Sequence, residues 1–371
     1  MAAELPDIDR LPDAPHPRET RVVYGHDGAE AEFLSAFNAG RMHSGWLLTG
    51  PEGIGKATMA YRMAAFLLAD QGDQGGFFSP PPATSLEIAP DHPDMRLMLA
   101  GAHPRLFVLK RGLNDKGDGY KAQISVDEAR KLKGFFQMSA TDGGRRVVIV
   151  DAADELNTAS ANAILKVLEE PPPRTTLILI AHQPARLLPT IRSRCRVLRF
   201  HPLSLPDLSS AMAAIPDAPE ADMALAVLAS GSVGTALKLS VSGGAALYGD
   251  LVRLLTSLPY LDRATAQKFA DKCAGKQNAA QFAFALDMMD TFLARTARAG
   301  IMGPPALEAA IGEANLMARL CRHDVAARGW ATAQQELQAR ARHGRAVNLD
   351  PASLILDMLI RIEDTARTFA A

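Results

Sequence analysis

The 371-residue sequence predicts an α/β module on a buried parallel sheet, followed by a part that is helical throughout. Three observations predict it. Between about 45 and 200, short apolar runs alternate with helical patterns, the arrangement of strand and crossover helix. A glycine-rich stretch, Gly50-Pro51-Glu52-Gly53-Ile54-Gly55-Lys56, lies between the first run and a helical pattern. After His201 no strand pattern returns, and Pro202 and Pro206 mark the change.

Residues 1–20 are rich in proline and charge, and predict a flexible, extended arm. Ala31, Phe33, Leu34 and Phe37 give a helix over 28–39, and Trp46-Leu47-Leu48 give a buried strand ended by Thr49-Gly50. A helix follows over 56–69. Residues 71–104 hold excess Gly, Pro and Ser and predict a loop or insertion. Arg105–Leu109 form a strand. Ser125 and Glu128 form a capping box for a helix to about 137. Val147–Val150 form a buried strand, and Asn157 caps a helix that Pro171-Pro172-Pro173 ends. Leu177–Ile180 and Val197–Phe200 complete the sheet. Small helices occupy 203–240. Long amphipathic helices begin at 263; one carries Phe282, Leu286, Met289 and Leu293, and another starts at Asp350-Pro351.

The bulk numbers exclude several classes. A net charge of −1 gives no basic excess to announce nucleic acid as the main partner. Arg145, Arg146 and Arg192 are not interleaved with aromatics, as a single-strand binder would need. Three scattered cysteines, Cys195, Cys273 and Cys321, supply neither a disulfide framework nor a four-cysteine zinc site. His182 and His201 have no ligand spacing. No apolar signal core or membrane-length stretch is present, so a cytoplasmic protein is expected.

The glycine-rich stretch fits the first seven positions of a P-loop and stands where the chemistry needs it, after an apolar strand and opening a helix. Gly50, Gly53 and Gly55 let backbone N–H groups turn toward phosphate oxygens, and Lys56 adds a full charge to the helix N-terminus. The next position should carry the hydroxyl that binds Mg²⁺; here it is Ala57, with Thr58 one place on and about 100° around the helix. Phosphate cradling is therefore expected with weak or absent Mg²⁺. Asp151, at the end of Val147–Val150, is the acid of the second nucleotide signature.

Asn162-Ala163-Ile164-Leu165-Lys166-Val167-Leu168-Glu169-Glu170-Pro171-Pro172 resembles the signature segment of bacterial clamp-loader subunits, within the AAA+ family. Ser193-Arg194-Cys195 and Gly40-Arg41-Met42-His43 resemble other parts of that pattern. The resemblance covers roughly 20–240. It implies a P-loop domain with a parallel sheet, a small helical lid and an all-α collar. The boundaries expected are a 1–20 arm, a 21–202 nucleotide-binding domain, a 203–262 lid and a 263–371 oligomerisation domain.

The departures from the family pattern are specific. Hydrolysing relatives have Glu after the signature Asp, where this chain has Ala152. Motor subunits carry a phosphate-sensing Arg where Gly234 stands, and Ala181-His182 offer no evident polar sensor. The cysteines of the family's zinc module are missing, so no zinc is expected. The resemblance thus implies a non-motor subunit with negligible ATPase of its own. ATP or ADP binding would rest on Gly50, Gly53, Gly55, Lys56, Thr58 and Asp151. Arg194 is implied to act as an arginine finger in a neighbour's ATP site. The implied partners are motor (gamma/tau) and delta subunits, the sliding clamp, and primer-template DNA reached through the complex. Two alternatives stay open: an active motor using Thr58 and Asp154 as substitutes, and a scaffold with an empty P-loop.

Overall fold

The computed structural model describes residues 7–11, 14–69, 81–138, 144–219, 222–274 and 279–369. Five strands form one sheet: β1 (Gly45–Thr49), β2 (Leu106–Leu109), β3 (Arg146–Val150), β4 (Thr175–Ala181) and β5 (Arg196–Arg199). Their order is β2-β3-β4-β1-β5 and every pairing is parallel. Successive residues of a strand point to opposite faces, so a strand covered on both sides must be apolar without a break. That is what β1, β3 and β4 supply. Trp46, Leu48, Val147, Ile149, Ile178 and Ile180 enter one core with Phe33 and Leu34 of α1 (Asp27–Asn38) and Met59, Met63 and Leu67 of α2 (Lys56–Ala69). Leu47, Val148, Val150, Leu177 and Leu179 enter the other. There they meet Leu132 of α4 (Val126–Met138), Ile164 and Leu168 of α5 (Thr158–Glu169), and Ile191 of α6 (Pro189–Arg194).

Asn157 caps α5 as its sequence predicts, accepting from the Ser160 amide at 2.8 Å. The stretch expected as a loop over 71–104 contains a short helix, α3 (Pro93–Leu99). His92 accepts from the Asp94 amide, Pro93 starts the first turn, and Met98 is buried. Two turns are too few for a periodicity to emerge from the surrounding Gly and Pro. Residues 70–80 of that stretch lie outside the described residues.

Residues 7–11 and 14–20, in the segment expected as an arm, lie on the sheet module. Ala14 and His16 are buried, and the His16 ring meets Tyr61 of α2 edge-on at 5.5 Å. The carboxylate of Asp9 is 2.7 Å from Lys110 Nζ, just beyond β2.

Backbone packing divides the chain into two units, 1–218 with 231–234 and 219–230 with 235–371. The first also holds α7 (Leu205–Ala213). The second is helical: α8 (Met223–Ala229), most of α9 (Val233–Ser242), α10 (Gly244–Leu255), α11 (Arg263–Cys273), α12 (Ala279–Met302), α13 (Glu313–Leu320), α14 (Asp324–Ala346) and α15 (Pro351–Phe369). Asp350 caps α15 through the Ser353 amide at 2.9 Å, with Pro351 in the first turn. Leu286, Met289 and Leu293 of α12 are core residues, as are Met358 and Ile362 of α15. Two buried glutamates tie this unit together. Glu313 accepts from Tyr248, Arg295 and the Ala309 amide, and Glu363 from Arg263, Arg367 and the Leu261 amide. A buried carboxylate is tolerated only when so satisfied. Among the described residues no helix is long and apolar enough to cross a membrane.

Candidate nucleotide site and a remote arginine

The loop after β1 and the end of β3 share the C-terminal edge of the sheet, where open α/β sheets bind ligands. Gly53 and Gly55 take φ of +74° and +100°, conformations that side chains rarely adopt. Lys56 is buried, and its ammonium donates to the carbonyls of Gly50, at 2.7 Å, and Pro51. Burial pushes its pKa down to about 8, against the pull of Asp151, Asp154 and Glu52. The lysine that would meet phosphate is satisfied by its own loop. His26, which the sequence reading did not single out, braces the loop from behind. Its Nε2 lies 2.8 Å from the Ile54 carbonyl and its ring packs on Phe200 at 4.6 Å. Burial lowers its pKa, which favours the neutral ring. No local pattern marks that histidine.

Asp151 follows β3, with its amide bonded to the Leu109 carbonyl at 2.8 Å. Burial raises its carboxyl to about 6, and the negative charges of Asp9 and Glu155 add to the rise. Ala57 and Thr58 are half-buried at the start of α2, and Ala152 is buried where a hydrolysing relative has its acid. Asp154 accepts from the amides of His182 and Gln183, both at 3.0 Å, clipping the turn after β3 to the turn after β4. A carboxylate held by two backbone amides is poorly placed to orient a water, which weighs against the motor alternative.

The loop is also fixed from above. The Gly234 amide donates to the Gly53 carbonyl at 3.0 Å, and Ser232 Oγ to the Glu52 carbonyl at 2.9 Å. A Cβ placed on Gly234 would stand 3.0 Å from Gly53 Cα and 3.3 Å from Leu11 Cδ1. Even a Cβ there is crowded by the Gly53 backbone, so a longer side chain would have to push that contact open.

Arg194 lies at the other end of the sheet. It is the last residue of α6, and its carbonyl is 3.4 Å from where a Cβ on Gly45, the first residue of β1, would stand. The P-loop begins after the last residue of β1. Five strand residues separate the two, about 16 Å at ~3.3 Å per residue. The guanidinium is exposed, donating to the Thr190 carbonyl at 3.1 Å and pairing with Glu169 at 2.8 Å. Cys195 packs beside Gly45 and Leu168, and burial pushes its thiol up to about 12, so it is no nucleophile at neutral pH. Arg145 and Arg146 are also committed, lying over the rings of Phe37 and Phe136.

A five-stranded parallel sheet with a glycine-rich phosphate loop after β1 and an acid at the end of β3 defines a P-loop-type α/β module. Residues 25–204 match the family model described as "DNA polymerase III, delta subunit". Relatives agree. The "DNA polymerase III subunit delta'" of Pseudomonas aeruginosa is 41% identical over 53% of this chain and 56% of its own length. The same subunit of Escherichia coli is 34% identical over 45% of each chain. The "DNA polymerase III subunit gamma/tau" of Mycobacterium bovis is 30% identical over 48% of this chain and 28% of its own. The chain thus matches about half the length of its delta-prime relatives.

Proposed function

We propose that this chain is a non-motor, delta-prime-type subunit of a DNA polymerase III clamp loader, which lends Arg194 to the ATP site of a neighbouring motor subunit. The observation that carries this reading is the position of Arg194, about 16 Å of strand away from the chain's own loop and open to solvent. An arginine so placed serves a phosphate that another subunit brings. Residues 203–262 act as lid and 263–371 as collar in a hetero-oligomer with gamma/tau and delta subunits, which loads the sliding clamp onto primed DNA. The chain's own loop, through Gly50, Gly53, Gly55 and Lys56, retains nucleotide affinity with little dependence on Mg²⁺, Thr58 and Asp151 being poor metal partners. Its own turnover is negligible.

The test is reconstitution of the loader with wild-type partners. Arg194→Ala should leave folding and assembly unchanged and lower the clamp- and DNA-stimulated ATPase by about 10³-fold at the neighbouring site. Arg194→Lys should do nearly as much damage, because an ammonium cannot reproduce the forked contacts. Full ATPase with Arg194→Ala refutes the role in trans.

A further inference from the structure

The segment 7–16 is polar by composition, yet it places charge against the nucleotide edge. The Asp9 side chain is 2% exposed. Its carboxylate meets Lys110 Nζ at 2.7 Å, His16 Nε2 at 3.2 Å and Tyr61 Oη at 3.5 Å. Asp7 meets the same lysine at 3.3 Å. Lys110 follows β2, and Asp151 follows the adjacent β3, bonded to the residue before that lysine. Two residues after Asp9, Leu11 reaches the Gly53–Gly234 contact on the loop. The segment therefore runs along the C-terminal edge from the acid of the second signature to the phosphate loop.

Asp7, Asp9 and His16 have metal-ligand chemistry, their donor atoms lying within 4.8 Å of one another. The cluster is nonetheless ill-suited to a cation. His16 Nδ1 accepts from the Arg18 amide at 3.1 Å, so Nε2 of the neutral ring carries the proton and has no lone pair to give. Lys110 already supplies a positive charge between the two carboxylates.

We infer that residues 7–11 are an autoinhibitory strap on the nucleotide site, held by Asp9 on Lys110 and by Leu11 on Gly234 beside the loop, and that a bound nucleoside triphosphate and the docked strap exclude each other. The reason is electrostatic and steric. The strap sets a buried carboxylate beside the edge where triphosphate oxygens would lie, and its leucine packs on Gly234, which is stitched to the phosphate loop. Affinity measured on the whole chain is then the intrinsic affinity scaled by the fraction of molecules with the strap released. This inference rests on the proposed retention of nucleotide binding by the loop.

The test uses the full chain and a fluorescent ATP analogue, titrated with and without Mg²⁺. Asp9→Asn removes the ion pair at constant shape, and Lys110→Met removes its partner. Both should tighten binding at least about tenfold, a strap release of about 1.4 kcal/mol. Hydrogen exchange at residues 7–11 should be slow in the wild type and fast in both variants, and should quicken in the wild type when nucleotide is added. Unchanged affinity in variants whose strap amides exchange fast overturns the strap. The loop as the nucleotide site is judged separately. Lys56→Ala should abolish the tightened binding of Asp9→Asn, and binding that survives it counts against the loop.

Discussion

Placing a side chain at position 234 should damage this protein. Gly234 lies in the first turn of α9 with ordinary helical φ, so backbone strain is not the issue. The obstacle is distance. Even alanine puts its Cβ 3.0 Å from Gly53 Cα, and that atom is backbone that cannot swing aside as Leu11 Cδ1 can. Overpacking of this kind costs about 1–3 kcal/mol, and the helix propensity gained from Gly→Ala returns at most ~1. A net loss of about 1–2 kcal/mol is expected. Gly53→Ala is the harsher partner. Its Cβ would stand 2.5 Å from Ser232 Oγ and 2.9 Å from Gly234 Cα, and φ of +74° adds about 1–2 kcal/mol of left-handed strain. The expected loss is about 3–5 kcal/mol. Trp46 and Trp330 are the two tryptophans of the chain, both fully buried, one in each unit. In a Trp330→Phe background the fluorescence of Trp46 reports urea unfolding of the P-loop module alone. If Gly234→Ala matches its parent within about 0.5 kcal/mol, the contact is not the tight stitch described. Gly234→Arg should lose more, without gaining ATPase.

Two further outcomes concern the acids that follow β3. The Asp151 carboxyl has its pKa raised from 3.8 to about 6, so the folded chain holds that proton more tightly than the unfolded one. Stability from this group is complete below about pH 4 and is lost as pH rises to 6, on the order of 3 kcal/mol for about two units. Asp151→Asn should remove that slope and gain about 1–2 kcal/mol at pH 7.5, less than the whole because Lys56 loses an attractive neighbour. Urea midpoints of the two proteins at pH 5 and 7.5 check it, and parallel profiles refute it. Asp154→Ala should cost about 1–3 kcal/mol, since two backbone amides lose their acceptor. It should leave ATP turnover at the wild-type level, and a large loss of turnover would make Asp154 catalytic after all.

The sheet was legible because burial on both faces forces unbroken apolar runs at β1, β3 and β4, and such runs stand out between helices and glycines. The cap at Asn157, the stop at Pro171 and the start of α15 were legible for the same reason, being decided within a few residues. So were the glycines, Lys56 and Asp151, which the fold brings to one edge. What the sequence hid are pairings across distance. Asp9 finds Lys110, Glu52 finds Ser232, and Gly53 finds Gly234, each about a hundred residues or more away. Arg194 finds Glu169, twenty-five residues earlier at the end of α5. No periodicity records which polar side chain meets which carbonyl.

These pairings share a direction. In a hydrolysing module the lysine and the segment near position 234 must each be free to answer the phosphate. Here Lys56 answers the carbonyls of its own loop, Asp154 answers the turn after β4, and Gly234 answers Gly53. Each bond satisfies its polar group within the chain itself. Arg194 is the contrast. Its pair with Glu169 is exposed, and such pairs hold about 0–1 kcal/mol. A guanidinium held that weakly is released at little cost once a neighbour's triphosphate competes for it. On the proposed reading, the module has fixed the parts that would move for its own chemistry and kept loose the one part it offers to another subunit.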